Sequence, residues 1–252
     1  MVDACERRLG KASAKRDRRA MCVVALAWHV HPDWPLILIG NRDEFHGRAS
    51  ASLAAWDDAS GIIAGRDLQA GGTWLGVHPA SGRAVVVTNV RGAPPDPAKE
   101  SRGSLVVDML RGDGRFADPS AADLDRFNAF NLFAVGREEV RLLTNRPGPQ
   151  IAALAPGVHA LANEPVDSPC PRADRLCVAL EAAIALRAAP ETLLDLLTAE
   201  NSPALFLRGD VYGTRCSTLL AIAADGSAHM IERRYEAGGR PGGTTALRFS
   251  IG

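Results

Sequence analysis

Short apolar runs separated by turn residues are the main pattern along the chain. The runs Cys22–His29 and Pro35–Gly40 flank His31-Pro32-Asp33, which favours a turn, so the pair predicts a β-hairpin. The same pattern predicts further strands at Gly61–Gly65, Thr73–His78, Arg83–Asn89, Asn131–Gly136, Glu139–Asn145, Gly157–Asn163, Arg215–Ala224, Ser227–Tyr235 and Thr244–Ile251. Their hairpin-like spacing favours antiparallel pairing over parallel strands joined by helical crossovers.

Three segments show helical features instead. Ser101–Leu110 places Leu105, Val106 and other apolar residues on one side of a short amphipathic helix. Pro171–Arg187 and Pro190–Glu200 each begin with proline, which suits the first turn of a helix because the missing N–H has no partner there. The order of strands, helices and strands again predicts a layered α+β fold in one domain.

The composition is that of a globular protein without excess charge. Hydrophobic residues make up 46% of the 252 residues, which is enough for the core of one sizeable domain. The 29 basic and 29 acidic residues cancel, which argues against a nucleic-acid-binding protein. No apolar run approaches the roughly 18 residues of a membrane helix, so no membrane span is predicted.

The cysteines and histidines lack the spacing of metal ligands. The five cysteines are an odd number without a CxxC pair, so they do not indicate a disulfide framework or a zinc site. Reduced thiols predict a cytoplasmic protein. The six histidines include no HExxH or similar pattern. We therefore expect no metal and no required cofactor.

The first twenty residues differ from the rest of the chain. They carry seven basic and three acidic side chains and no apolar periodicity. This pattern predicts a disordered extension, with the domain proper over residues 21–252. A start codon assigned upstream of the true one, Met21, would explain it. A basic targeting arm is the alternative, although Asp3, Glu6 and Asp17 are unusual in a mitochondrial transit peptide.

Met21-Cys22 is the segment with the clearest chemical potential. If Met21 were the first residue, its removal would leave Cys22 with a free α-amine. The amine has a reference pKa of about 7.7–8.0 and the thiol one of about 8.5, so the amine can accept the thiol proton near neutral pH. The resulting thiolate is the nucleophilic form of cysteine. Cys22 is therefore a candidate nucleophile that needs no separate histidine.

An ordered set of motifs closely resembles the NRDE family, also called the transport and Golgi organisation 2 family. The family's name-giving tetrapeptide is Asn41-Arg42-Asp43-Glu44, followed by Phe45. Further matching segments are Met21-Cys22, Gly65-Arg66-Asp67, Gly71-Gly72-Thr73-Trp74-Leu75-Gly76, Thr88-Asn89, Ser101-Arg102-Gly103, Phe130-Asn131-Leu132, Leu161-Ala162-Asn163 and Tyr212-Gly213-Thr214-Arg215. The chain departs from the family at Pro169-Cys170-Pro171-Arg172, where members carry a Pro-Trp-Pro-Lys-like segment with an aromatic residue.

The resemblance implies a fold and a site. The family is similar to amino-terminal-nucleophile hydrolases, which implies a four-layer αββα sandwich of antiparallel sheets. In those enzymes the site contains Cys, Arg, Asp, Asn and Arg, which correspond here to Cys22, Arg42, Asp43, Asn89 and Arg215. Arg42 would stabilise the thiolate, Asp43 would hold the α-ammonium, and Asn89 would donate to an oxyanion. Arg215 would pair with Asp43 or with an anionic ligand group.

Each of these residues also has a structural interpretation. Cys22 at a strand start can be a small core residue. Asn41-Arg42-Asp43-Glu44 can be a solvated turn held by its own salt bridges. Asn89 can cap or bridge a strand end, and Arg215 can belong to a buried ion pair. Gly71-Gly72-Thr73-Trp74 fits a turn with a packing tryptophan better than a phosphate-binding loop.

Two functional hypotheses follow. The first is an amidohydrolase or acyl-transfer enzyme that acts on a small amide or thioester through Cys22. The second is a non-catalytic trafficking protein on the same scaffold, because the resemblance associates the family with haem mobilisation and with lipid or acyl-coenzyme-A homeostasis. In that case Arg42 and Arg215 would pair with the carboxylates of a haem-like ligand, and apolar strands would line the pocket. The oligomeric state is not predicted.

Overall fold

The computed structural model describes residues 22–58, 60–92 and 94–252. The expectation for residues 1–20 lies outside this range. The strands, in chain order, are β1 Val23–Trp28, β2 Leu36–Phe45, β3 Ser50–Ala55, β4 Ile63–Asp67, β5 Leu75–His78, β6 Arg83–Asn89, β7 Phe130–Val135, β8 Val140–Thr144, β9 Gln150–Leu154, β10 Gly157–Leu161, β11 Tyr212–Ile222, β12 Ser227–Glu236 and β13 Arg240–Ser250. The α-helices are α1 Arg102–Arg111, α2 Ala121–Leu124 and α3 Pro171–Ala185.

The strands form two antiparallel sheets. One has six strands in the order β10-β1-β2-β11-β12-β13, and the other has seven in the order β3-β4-β5-β6-β7-β8-β9. The predicted hairpins β1–β2 and β7–β8 are both present, with Val24 opposite Gly40 in the first and Leu132 opposite Leu143 in the second. A side chain at Gly40 would overlap the Val23 carbonyl oxygen, so the close pairing of β1 and β2 requires glycine there.

Three apolar clusters hold four layers together. Side chains such as Leu26, Leu38 and Phe133 fill the space between the two sheets. Alternate residues of the six-stranded sheet point the other way and pack under α3 and a 3₁₀ helix over Pro190–Thr198. The outer face of the seven-stranded sheet packs under α1. The predicted αββα arrangement of antiparallel sheets is therefore confirmed.

The structure corrects the sequence-based elements in three places. Strand β2 continues through Phe45, so Asn41-Arg42-Asp43-Glu44 lies within a strand and is not a solvated turn. Strands β3 and β9 were not predicted, because each is an edge strand of the seven-stranded sheet with few buried residues and weak alternation. The segment Pro190–Thr198 is a 3₁₀ helix and not an α-helix.

Candidate functional site

Cys22 lies immediately before β1, at one end of the six-stranded sheet. Val23 pairs with Asn41, and Cys216 on β11 pairs with Arg42. Strand β2 lies between β1 and β11, so Arg42 has a cysteine on each side. The Cys22 thiol donates a hydrogen bond to the Asp43 carbonyl oxygen, with 3.7 Å between the sulfur and the oxygen. The hairpin thus brings the candidate nucleophile and the tetrapeptide to one place.

A cavity of about 520 Å³ opens at this end of the sandwich. All five residues predicted from the sequence line it: Cys22, Arg42, Asp43, Asn89 and Arg215. Residues of both sheets and of the first turn of α1 complete the wall. The volume is sufficient for a small organic ligand. The roles of the five residues remain predictions.

Asn41 and Asp43 point from β2 into the helical layer. The Asn41 amide donates to the carbonyl oxygens of Leu197 and Leu205, at 2.9 and 2.8 Å. The Asp43 carboxylate is fully buried and forms a salt bridge with Arg172 of α3 at 2.8 Å. These two side chains connect the strand to the layer that covers it.

The Asp43 carboxylate also accepts a hydrogen bond of 2.6 Å from the hydroxyl of Thr214. Burial raises the pKa of Asp43 to about 6, although Arg172, Thr214 and Arg42 act in the opposite direction. The carboxyl group therefore titrates much closer to neutral pH than an exposed aspartic acid does.

Arg42 points to the opposite side of β2, toward the second sheet. Its guanidinium lies 3.4 Å from the Asp67 carboxylate and 3.7 Å from that of Glu44. Asp67 also binds Arg48 at 2.6 Å and accepts hydrogen bonds from the main-chain N–H of Gln69. Burial acts to raise the pKa of Asp67, but these donors outweigh it and hold the pKa below its usual value. The segment Gly65-Arg66-Asp67 thus supplies a carboxylate that orients Arg42.

The prediction that Arg215 pairs with Asp43 is wrong. Its guanidinium donates to the carbonyl oxygens of Phe45, His46 and Arg48, at 2.8, 3.2 and 3.0 Å. The reason is a β-bulge, because the pairing between β11 and β2 shifts register between Thr214 and Cys216. A bulge redirects the extra residue. Arg215 therefore stabilises the loop after β2 through these hydrogen bonds, and the ion-pair partner of Asp43 is Arg172.

Asn89 ends β6 on the cavity wall, above a group of buried amides. Its carbonyl oxygen accepts a hydrogen bond from the Asn163 side chain. Beneath it, Thr88 donates to the Ala162 carbonyl oxygen at 2.8 Å, and Asn131 donates to that of Glu164, also at 2.8 Å. These bonds explain the Thr88-Asn89, Phe130-Asn131-Leu132 and Leu161-Ala162-Asn163 motifs as ties between the two sheets. They hold Asn89 in place beside the cavity.

The Cys22 thiol is neutral in this structure at physiological pH. Burial raises its pKa to about 11, and the negative charge of Asp43 adds to the effect. The guanidinium groups of Arg42 and Arg172 act in the opposite direction without cancelling it. A nucleophilic role for Cys22 therefore requires a base that removes the proton.

Several arginines of this region were not among the predicted site residues, and two of them have a distinct position. Arg172 is the buried partner of Asp43, and Arg102 lines the cavity from the first turn of α1. Both lie in segments that the family resemblance had already marked, Pro169-Cys170-Pro171-Arg172 and Ser101-Arg102-Gly103. A basic residue within a family motif was the available signal.

Two glycines bring α1 to the cavity. A Cβ atom at Gly72 would overlap the main chain of Gly103, so the loop before β5 and the start of α1 approach as closely as backbones can. This contact explains why glycine occurs in both the Gly71-Gly72-Thr73-Trp74 and the Ser101-Arg102-Gly103 motifs. It holds the first turn of α1, and with it Arg102, at the cavity wall.

The two facing antiparallel sheets covered by helices, with the cavity at a strand end, define the amino-terminal-nucleophile-hydrolase fold. In agreement, the structure is similar to a Caenorhabditis elegans N-acylethanolamine-hydrolyzing acid amidase ortholog, with a TM-score of 0.50 at 10% identity, over 79% of this chain and 92% of that one. At this identity the likeness concerns the fold. Residues 21–237 match the Transport and Golgi organisation 2 family, and the chain belongs to it.

Two mammalian members of this family are similar to the chain over most of their length. The human Transport and Golgi organization protein 2 homolog is 27% identical, over 84% of this chain and 92% of the human protein, and the mouse homolog gives the same values. The Drosophila melanogaster protein is 31% identical over a shorter stretch, 50% of this chain and 52% of its own length. None of the helices in the described part of the chain is long and apolar enough to cross a membrane.

Proposed function

We propose that the protein is a cysteine amidohydrolase or acyl-transfer enzyme that acts on a small amide or thioester through Cys22. The observation that carries the proposal is the position of the Cys22 thiol at the wall of the cavity, in contact with the Asp43 carbonyl and next to Arg42 on the neighbouring strand. The structural neighbour is named as an enzyme that hydrolyses an amide, which makes amides the first class to test.

The active form in this proposal is one in which Cys22 is the first residue. The thiol pKa of about 11 makes an unassisted thiolate scarce at pH 7. A free α-amine on Cys22 has an ordinary pKa of about 7.7–8.0 and would take the thiol proton within the same residue. The family match beginning at residue 21 supports Met21 as the residue whose removal exposes that amine.

The reaction then proceeds in two steps. The Cys22 sulfur forms a bond to the carbonyl carbon, and the tetrahedral intermediate expels the amine or thiol, which leaves with the proton held by the α-amine. Water then attacks the acyl-cysteine, releases a carboxylic acid and restores the thiol. Asn89 is the donor assigned to the oxyanion, a role that contributes about 2.7–4 kcal/mol where an oxyanion-hole asparagine was removed from a serine protease. Asp43, whose main-chain carbonyl already contacts the thiol, is the residue assigned to hold the α-ammonium near Cys22.

The test compares three proteins: the full chain, a chain begun at Met21 so that methionine excision exposes Cys22, and the Cys22→Ala variant of the latter. Each is incubated with S-hexanoyl-N-acetylcysteamine, and acylation is followed by intact mass. We expect a hexanoyl adduct on Cys22 in the chain with the free amine only. Cys216→Ala serves as a matched control, because Cys216 flanks Arg42 on the other side and should not be required.

The pH dependence provides a second readout. The raised pKa of about 11 means that the thiolate fraction of Cys22 in the full chain grows about tenfold per pH unit between pH 7 and 9. Alkylation by iodoacetamide should follow that slope. In the free-amine chain the rate should level off near pH 8 instead. Equal acylation of the Cys22→Ala protein, or identical behaviour of the two chains, would contradict the proposal.

The hypothesis of a non-catalytic haem- or lipid-binding protein stays a prediction, but its expected pocket lining needs correction. The apolar faces of the strands were expected to line the pocket, but those side chains pack in the core between the sheets. Charged and polar residues make up most of the cavity wall instead, and no histidine of the described residues is among them. This wall suits a small polar acyl compound better than the broad apolar face of a haem.

A further inference from the structure

The cations that line the cavity differ in how their charge is balanced. Arg42 and Arg48 share the carboxylate of Asp67. Further along the wall, Arg66 binds Asp58 at 3.0 Å, and Arg234 lies 3.5 Å from Glu232. These four arginines are therefore compensated within the protein.

Arg102 lacks such a partner. Its Nη1 donates to the Ala129 carbonyl oxygen at 3.0 Å, and no carboxylate among the described residues forms an ion pair with it. Arg215 also lacks a carboxylate, but several main-chain carbonyls take up its donors. A guanidinium has five N–H donors, and Arg102 lines the cavity while using one of them for Ala129, so it has donors left for a ligand.

The position of Arg102 is fixed by its surroundings. It is the first residue of α1, and the backbone contact between Gly72 and Gly103 holds that turn against the cavity wall. Arg102 and Cys22 line the same cavity. Burial and the positive charge of Arg48 lower the pKa of Arg102, while the negative charges of Cys22 and Glu44 act to raise it. A largely buried cation without a counter-charge is costly unless a ligand supplies one.

We propose that Arg102 binds an anionic group, a carboxylate or a phosphate, on an acyl substrate whose carbonyl carbon lies at Cys22. This assignment rests on the proposed function and narrows it to anionic amides and thioesters. Arginine suits the task because its planar donors match both anions in a bidentate arrangement. Arg102 is then the residue that determines charge specificity, whereas Cys22 and Asn89 act on the carbonyl group.

The test compares the alkylation of Cys22 by iodoacetate, which is anionic, and by iodoacetamide, which is neutral and of similar size. Both reagents need the same thiolate, so the ratio of their rates cancels any change in the pKa of Cys22. Peptide mass spectrometry identifies the alkylated cysteine. In Arg102→Gln we expect the ratio to fall about tenfold or more, as for a lost hydrogen bond to a charged group. Arg102→Lys keeps the charge but loses the bidentate geometry, so its ratio should lie between those of the parent protein and Arg102→Gln.

Arg66→Gln is the matched control, because Arg66 also lines the cavity but is paired with Asp58. Its ratio should stay within about twofold of the parent protein, as for a partly exposed ion pair. If Arg102→Gln keeps the rate ratio of the parent protein while iodoacetamide still alkylates Cys22, the assignment of Arg102 is overturned. The proposed role of Cys22 as nucleophile would not be affected by that result. Failure of Cys22 to react with either reagent at any pH would overturn both proposals.

Protection experiments distinguish the two anions. N-hexanoylglycine carries a carboxylate, hexyl phosphate carries a phosphate, and N-hexanoylglycinamide is neutral. We expect one of the anionic compounds, and not the neutral one, to slow the alkylation of Cys22 by iodoacetamide, and the effect should be lost in Arg102→Gln. The more protective anion identifies the group. Equal protection by the neutral compound, or none by either anion, would count against the assignment.

Discussion

The tetrapeptide Asn41-Arg42-Asp43-Glu44 on β2 has side chains on both faces of the strand, and the surroundings of the two faces differ. Asn41 and Asp43 point into the helical layer, where Leu197, Leu205 and Arg172 satisfy them. Arg42 and Glu44 point to the cavity, where their charges remain partly accessible. The period of two along a strand separates residues that hold the fold together from residues that can meet a ligand.

This division changes how the tetrapeptide should be understood. A run of four charged and polar residues suggests a single functional unit. Three of its members border the cavity, but the charged groups of Arg42 and Glu44 pair on the cavity side, whereas the Asp43 carboxylate is buried against Arg172. Asp43 connects the two faces, because its carboxylate binds Arg172 while its carbonyl oxygen accepts the hydrogen bond from Cys22. We therefore expect substitutions on the helical face to affect stability and those on the cavity face to affect the chemistry of Cys22.

The largest expected effect is that of Arg172→Met. It leaves the fully buried Asp43 without its ion-pair partner, and breaking a buried pair in this way costs about 3–5 kcal/mol of unfolding free energy. Urea unfolding measures the loss. Arg233→Met is the control, because its salt bridge with Asp195 is on the surface and should contribute less than about 1 kcal/mol.

The same variant should show a specific pH dependence. The pKa of Asp43, already raised to about 6, rises further when Arg172 is removed, so the carboxyl becomes neutral at mildly acidic pH. A neutral buried carboxyl costs less than a charged one. The destabilisation should therefore be larger at pH 8 than at pH 5. A loss no larger than that of the control at pH 8 would show that the helical face is not structural.

Asn41→Leu should have the next largest effect. It removes the two donors to Leu197 and Leu205 and the acceptor for the Ser217 hydroxyl. The Leu205 carbonyl keeps the bond from Arg172 and Ser217 keeps Tyr235, so the main loss is the buried bond to the Leu197 carbonyl and the amide's link between strand and helical layer. We expect a loss of about 2–4 kcal/mol in urea unfolding. Asn128→Leu is the matched control, since Asn128 also bonds to the main chain of Asp96, but within reach of water. A loss equal to that of Asn128→Leu would contradict the division between the faces.

The sequence allowed more of the fold than of the site to be predicted. Alternating apolar residues identify most central strands, because each must present one face to a core. The edge strands β3 and β9 were not predicted, because Ser50–Ala55 and Gln150–Leu154 bury few side chains. Cys22 and Arg42 can be brought together by a hairpin, which is a local feature. The family resemblance, and not spacing, supplied Asn89 and Arg215.

The remaining features depend on contacts between segments that are distant in sequence. Asp43 and Arg172 are 129 residues apart, and nothing in the spacing of either indicates the pair. The bulge at Thr214/Cys216, which turns Arg215 toward the loop after β2, is visible only once the register is known. Arg102 reaches the cavity because two glycines let backbones touch. In each case packing, and not local pattern, determines the partner.

The smallest expected change in stability, and the clearest change in chemistry, is that of Arg42→Gln. Its ion pairs are 3.4 and 3.7 Å long and partly accessible, so their loss should cost no more than about 1 kcal/mol. The positive charge of Arg42 lowers the pKa of Cys22, so its removal should raise that pKa further. A rise of up to about one unit makes the alkylation of Cys22 by iodoacetamide at pH 8 up to about tenfold slower. Arg48→Gln, which also removes an ion pair of Asp67, is the control and should leave the alkylation rate within about twofold of the parent protein. An unchanged alkylation rate in Arg42→Gln, together with a loss of stability above about 3 kcal/mol, would show that the cavity face is as structural as the helical face.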